Sequence, residues 1–337
     1  MNVRITTLDN GLRIISDYMP SVQSVSLGAW IEVGTRHETA EINGISHLLE
    51  HMAFKGTTTR NAYQLAEEIE NVGGHMNAYT SRENTAYYAK VLKEDAGLAV
   101  DIIADILQNS IFDEEELERE RSVILQEIAQ ANDTPDDIIF DHFQLAAYPD
   151  QAMGRPVLGD EEIVKSLPRE TIMAYMRDNY AFDRMVFSAA GNIDHDELVK
   201  MVAEKFTNFA PTTSIKAEPT NYKGGTFIES RMSLEQAHVL LGYDGVSYGD
   251  PDFYALSVMS TLVGGGMSSR LFQEIREKRG LVYTIYSYVS SYDDGGMFAI
   301  YAGTSAEDIE KMTPVLKEEI QKVCEEVTPD EVKRAAA

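Results

Sequence analysis

Apolar and polar residues alternate along "MNVRITTLDNGLRIISDYMP", residues 1–20, and the alternation breaks at Asp9-Asn10-Gly11. A period of two interrupted by such a triplet predicts a strand, a hairpin turn and a second strand. This start has neither the apolar run of a secretion signal nor the Arg-rich, acid-poor character of a transit peptide. Further along, the spacing becomes helical. "GISHLLEHMAFKGT", residues 44–57, predicts a helix of about 12 residues, with Asn43 as N-cap and Gly56 just past its end. "DEEELERERSVILQEIAQANDTPDD" predicts another, capped by Asp113, with Val123, Ile124 and Ile128 as its apolar stripe. No apolar run reaches the ~18–20 residues that span a bilayer, so membrane insertion is not expected.

The pattern repeats itself weakly. "LAEEIENVGGHMNAYT" and "LFQEIREKRGLVYTIY" share Glu-Ile and Gly at an offset of 206 residues, which sets Asn77 opposite Tyr283 and Thr80 opposite Tyr286. Each copy reads as helix, glycine turn, strand, hairpin, strand and long helix. The stretch 208–226 between the copies is rich in Pro, Gly, Ser and Thr and reads as a linker. The expected fold is α+β: two homologous domains, each a mostly antiparallel sheet with helices packed on one face. The expected divisions are 1–210, a linker at 211–224, and a second domain at 225–337 that reads as C-terminally incomplete.

Composition narrows the function. The net charge of −26 repels phosphate backbones, so nucleic acid is not an expected partner, and it attracts cationic peptides. The single cysteine, Cys324, excludes an internal disulfide and a cysteine zinc cluster. A reducing cytoplasm is the simplest compartment for such a chain.

The 44–57 helix carries the chemistry. His47 and His51 lie four residues apart, so on a helix they share one face within ~40°, the geometry of a two-imidazole zinc site. Glu50 falls ~60° to the other side of His47, where it reaches a metal-bound water without ligating, the place of a general base. With histidine at 7 of 337 positions, such a pentad is expected by chance about 0.015 times. In the second copy His47 maps to Phe253 and His51 to Ser257, so the fold itself does not need these histidines. A catalytic zinc takes a third protein ligand. Glu120 and Glu127, seven apart on the 113–137 helix, are carboxylate candidates, and the pattern alone also fits an ordinary solvated face.

"GISHLLEHMAFKGT", "GGHMNAYTSRENTAYYAKVL" and "ERERSVILQEI", in this order, resemble the pitrilysin/insulinase family of inverted-motif (HxxEH) zinc metallopeptidases. The likeness is strongest to the β subunit of the mitochondrial processing peptidase and its bacterial homologues. It implies one zinc per chain on His47, His51 and Glu127, with Glu50 as base and Glu120 supporting the site. It implies that a peptide adds as a strand along 75–81, next to Asn77 and Ala78. It implies that Arg276 and Tyr283 reach the scissile carbonyl, that Phe54 contacts the side chain after the cut, and that Asp137 and Asp141 hold a substrate arginine. It further implies a chamber between two halves, so that a chain of this length pairs with itself or with a related subunit. The reading is a zinc endopeptidase acting on short or unfolded peptides, with a non-catalytic, core-type subunit of the same fold as the alternative.

Overall fold

The computed structural model describes residues 2–209, 217–231 and 234–337; the predicted linker positions 211–216 lie outside them. The strands are β1 (Val3–Thr7), β2 (Arg13–Tyr18), β3 (Ser24–Ile31), β4 (His75–Thr80), β5 (Thr85–Leu92), β6 (Met185–Gly191), β7 (Ala237–Asp244), β8 (Val282–Ser291) and β9 (Gly296–Thr304). The helices are α1 (Ile45–Ala53), α2 (Ala62–Asn71), α3 (Ala96–Gln108), α4 (Glu114–Asp133), α5 (Pro135–Ala147), α6 (Glu161–Ser166), α7 (Arg169–Asn179), α8 (His195–Lys205), α9 (Phe253–Gly264), α10 (Ile309–Glu325) and α11 (Pro329–Ala335). They form two compact units, one of Met1–Gln130 and Arg155–Glu218, the other of Ala131–Gly154 and Pro219–Ala337.

In the first unit the sheet runs β1-β2-β6-β3-β5-β4 and is antiparallel except for the β2–β6 pair. The opening alternation forms the β1–β2 hairpin, turning at Gly11 with φ 95°. Along β3 every second residue, Val25, Leu27, Ala29 and Ile31, is buried. That face is covered by α3, whose Ile102, Ile103 and Ile106 are also buried, and the polar positions of the strand face away. β4 is an edge strand, with β5 as its only neighbour in the sheet among the described residues.

The second unit repeats part of this plan. β7, α9, β8, β9 and α10 follow in the order of β3, α1, β4, β5 and α3, and its sheet is β7-β9-β8, all antiparallel. The fold is α+β. Where the first copy has α2, the second has a π-helix at Phe272–Glu277. The segment 131–154 packs with the second unit. The reason is aromatic: Phe140 on α5 stacks on Tyr301 and lies 6.0 Å from Tyr288, so α5 covers the sheet face opposite α9 and α10.

α1 is shorter than predicted, spanning 9 residues. Leu48, Leu49 and Met52 are fully buried, each worth ~1.5–3 kcal/mol. Its N-cap is Gly44, not Asn43. Gly44 sits at φ 98° against Gly159, whose Cα would lie 2.8 Å from any added Cβ. No side chain of the cap itself meets the free amides. The buried Glu38 carboxylate does so, accepting from the Gly44 and Ser46 amides at 2.8 Å and from Asn43 Nδ2 at 2.9 Å. Burial lifts the Glu38 carboxyl, and the Ser46 and Gly44 amide bonds pull the other way. Asn43 therefore serves the helix start indirectly, by holding Glu38. Glu38→Ala should strand these donors and lower the unfolding free energy by about 2–4 kcal/mol, while Glu38→Gln should cost less. Urea titration measures both, and an unchanged midpoint for Glu38→Ala would refute the clamp.

Candidate metal centre

One face of α1 is apolar and buried; the other carries His47, Glu50 and His51, all half-buried. The two imidazoles meet edge to face, 4.6 Å between centroids. α4 runs past them. It is capped by Asp113, which accepts from the Glu115 and Glu116 amides, and it is seated by Leu117, Ile124 and Ile128. Arg121 is buried and donates to the Val164 and Leu167 carbonyls. The predicted stripe is shifted. Val123 is 39% exposed, and Glu120 and Arg121 take buried places on this helix instead.

α4 brings Glu127 to the histidines. Glu127 Oε2 lies 3.8 Å from His47 Nε2 and 3.7 Å from His51 Nε2. One donor atom from each of the three lies within 4.8 Å of the others, and among the described residues no other such cluster of His, Cys, Asp and Glu occurs. Bonds of ~2.0–2.2 Å to a tetrahedral zinc require donor separations of ~3.3–3.6 Å, close to those present. Glu127 Oε2 is buried with no hydrogen-bond partner, a cost that a cation can relieve. Burial and the neighbouring His51 push the His47 pKa down to about 4, so its imidazole is neutral near pH 7, as a ligand must be. The residues present fit a zinc ion.

The remaining groups divide into two environments. Glu120 Oε2 meets His51 Nδ1 at 2.9 Å, and Glu120 Oε1 meets Lys55 Nζ at 2.7 Å. Burial would lift the Glu120 carboxyl, but the Lys55 and His51 bonds outweigh it and hold the group below the usual carboxylate range. Among the described residues no lysine or arginine pairs with Glu50. Burial lifts its carboxyl above the usual range against the single bond from Thr80 Oγ1, 2.6 Å from Oε2. Thr80 ends the edge strand β4, so the strand and the helix carboxylate are tied together. On β4 the Ala78 amide donates to the Asn77 side chain at 2.9 Å. Phe54 caps α1, with its ring 6.2 Å from Tyr87.

Arg276, Tyr283, Asp137 and Asp141 belong to the second unit. Arg276 lies on the π-helix, over the Phe272 ring at 4.7 Å and 5.9 Å from the centroid of the exposed Tyr283. Asp137 sits in the first turn of α5, and its amide bonds the Thr134 carbonyl, while Asp141 follows one turn later. Three other histidines serve elsewhere. His195 is held between Ser16 and Thr6, His142 stacks on Phe227, and His238 bonds Tyr301. Sequence reasoning missed Lys55, Thr80 and Glu38. Lys55 pairs with a residue of another helix, and Thr80 and Glu38 reach α1 only through the fold, so spacing within one element shows none of the three.

Residues 13–161 match the family described as insulinase (peptidase family M16), and residues 166–337 match the peptidase M16 inactive domain. The chain is 44% identical over 335 residues to an uncharacterized zinc protease of Rickettsia felis, covering 99% of this chain and 81% of that protein. It is 39% identical over 346 aligned positions to a probable mitochondrial-processing peptidase subunit beta of Arabidopsis thaliana, covering 98% of this chain and 65% of that one. Its fold matches the crystal structure of a protease from Helicobacter pylori at a TM-score of 0.91 and 22% identity, over 99% of this chain and 83% of that one.

These contacts separate two glutamates on one helix. Glu127→Gln removes a donor and should weaken zinc binding severely. Glu120→Gln removes only the partner of a donor, for which a loss on the order of 10–100-fold is expected. Competition against a chelator ranks them, and a larger loss from Glu120→Gln would reverse the assignment.

Proposed function

The chain belongs to the insulinase family of peptidases (family M16), and from that premise we propose that it is a zinc-dependent endopeptidase for short or unfolded peptides. The observation that carries this is the approach of His47 Nε2 and His51 Nε2 to one Glu127 oxygen, with Glu50 on the same helix outside that cluster. A single zinc ion held there would polarise the scissile carbonyl and acidify its bound water to a pKa near ~7.

The protein's own groups do the rest. Glu50 takes the proton of the attacking water and returns it to the departing amine. Thr80 occupies Glu50 Oε2 and leaves Oε1 for that water. The raised Glu50 carboxyl suits a group that must both accept and release a proton. The peptide adds along the open edge of β4 beside Asn77 and Ala78, so its backbone is held whatever its side chains. Phe54 meets the residue after the cut. Arg276 and Tyr283 supply donors to the developing oxyanion. The chain works as a pair, with itself or with a related subunit. Among the described residues no helix is long and apolar enough to cross a membrane.

Asp137 and Asp141, four apart on α5, hold an arginine of the substrate through charge-assisted bonds. The net charge of −26 favours such cationic peptides.

Glu50→Gln should keep zinc by metal analysis and lose at least ~10²–10⁴-fold in turnover. Near-wild-type turnover would sink the mechanism, and loss of zinc would make Glu50 a ligand. A wild-type protein that binds no zinc would point to the non-catalytic, core-type alternative. For specificity, a peptide-library profile should favour arginine two residues before the cut. Asp137→Asn with Asp141→Asn should erase that preference with zinc content unchanged, and a profile indifferent to arginine would count against both residues.

A further inference from the structure

Lys55 lies outside the His-Glu-His pentad and past the end of α1. Its amide donates to the Met52 carbonyl at 3.1 Å, and the next residue, Gly56, turns the chain at φ 116°. This turn sends the Lys55 side chain to Glu120, on a helix that begins more than fifty residues later. The Glu120 carboxylate is 7% exposed and has a different partner on each oxygen, Lys55 on Oε1 and His51 on Oε2. Freed on one side, a carboxylate can rotate about its terminal bond; held on both, it cannot turn without breaking an ion pair.

We infer that Lys55 is a positioning residue: it locks the Glu120 carboxylate so that His51 keeps its proton on Nδ1 and aims the lone pair of Nε2 at the metal. The inference rests on the zinc site proposed above. A carboxylate on Nδ1 fixes the tautomer and ring orientation of a ligating imidazole and strengthens its other nitrogen as a donor. Lys55 acts one step behind, by giving a buried anion its counter-charge. The competing role is structural. Lys55 would then only fasten the end of α1 to α4, and its loss would lower stability without touching the metal.

Four proteins separate these roles: wild type, Lys55→Met, Glu120→Gln and the double variant, with Lys55→Arg and Lys55→Gln alongside. Two quantities are measured on each, the zinc Kd by chelator competition and the melting temperature of the metal-free protein. Lys55→Met should weaken zinc binding on the order of 10–100-fold, Lys55→Arg should recover most of that, and the double variant should be no weaker than Glu120→Gln alone. Lys55→Gln stands in if Lys55→Met does not fold. An unchanged zinc Kd with a lowered melting temperature would overturn the inference. So would losses from Lys55 and Glu120 that multiply in the double variant. If the wild-type protein bound no zinc, the metal site itself would fall and this inference with it; tight wild-type binding with an unaffected Lys55→Met removes the inference alone.

Discussion

The Glu38 carboxylate, buried against the first turn of α1, accepts from the Gly44 and Ser46 amides and from Asn43. A helix N-terminus presents unsatisfied amides and a partial positive charge, so an anion there is stabilised and the helix start is fixed. This matters because of the tolerance a metal site demands. Donor distances must hold within about 0.2 Å. His47 and His51 are on α1 and Glu127 is on α4, so a slide of either helix would separate them. α1 is fixed by Glu38 and by the close contact of Gly44 with Gly159; α4 is fixed by Arg121 on two backbone carbonyls. Apolar packing alone is non-directional and would not hold this register.

The two glutamates nearest the histidines illustrate how environment assigns roles. Glu50 and Glu120 are the same chemical group, both withdrawn from water. Glu120 has Lys55 and His51, and its carboxyl is held down. Glu50 has the Thr80 hydroxyl as its hydrogen-bond partner, and burial raises its carboxyl. A carboxylate kept ionised suits a permanent hydrogen-bond acceptor, and one raised by burial suits proton exchange. The division of labour proposed for the site therefore follows from which side chains the fold sets beside each carboxylate.

Local periodicity carries contacts within one element and loses those between elements. The pentad was legible because its three side chains share one helical turn. The β1–β2 hairpin was legible because its turn residues are adjacent, and the repeat showed where α1 recurs as α9. Glu120 and Glu127 could not be told apart by spacing, since both face one way and the choice depends on how α4 crosses α1. The cap of α1 was misread by one residue, and Glu38, which meets the free amides, comes from outside the helix. The stripe on α4 failed at Val123 because Arg121 and Glu120, polar by type, are buried through partners elsewhere in the chain. The placement of α5 followed Phe140 and its aromatic partners, which stand more than a hundred residues away in the sequence.

The second unit supplies a control that the chain carries within itself. Its counterpart of α1 has Phe253 and Ser257 where α1 has His47 and His51, and α9 packs against β8 without them. The first copy thus bears an avoidable burden. It withdraws two imidazoles and two carboxylates from water, and it leaves Glu127 Oε2 without a hydrogen-bond partner. An unmet buried polar group costs about 1–3 kcal/mol. A sequence that breaks a packing rule in one copy and keeps it in the other does so where the exception has a use. A cation bound only by the folded chain would return that cost as stability, since a ligand specific to the native state stabilises it by mass action. The second copy has an irregularity of its own, a π-helix at Phe272–Glu277 that carries Arg276 where the first copy has α2. π-turns are uncommon and concentrate at functional positions, so each copy departs from its partner at the residues proposed to act.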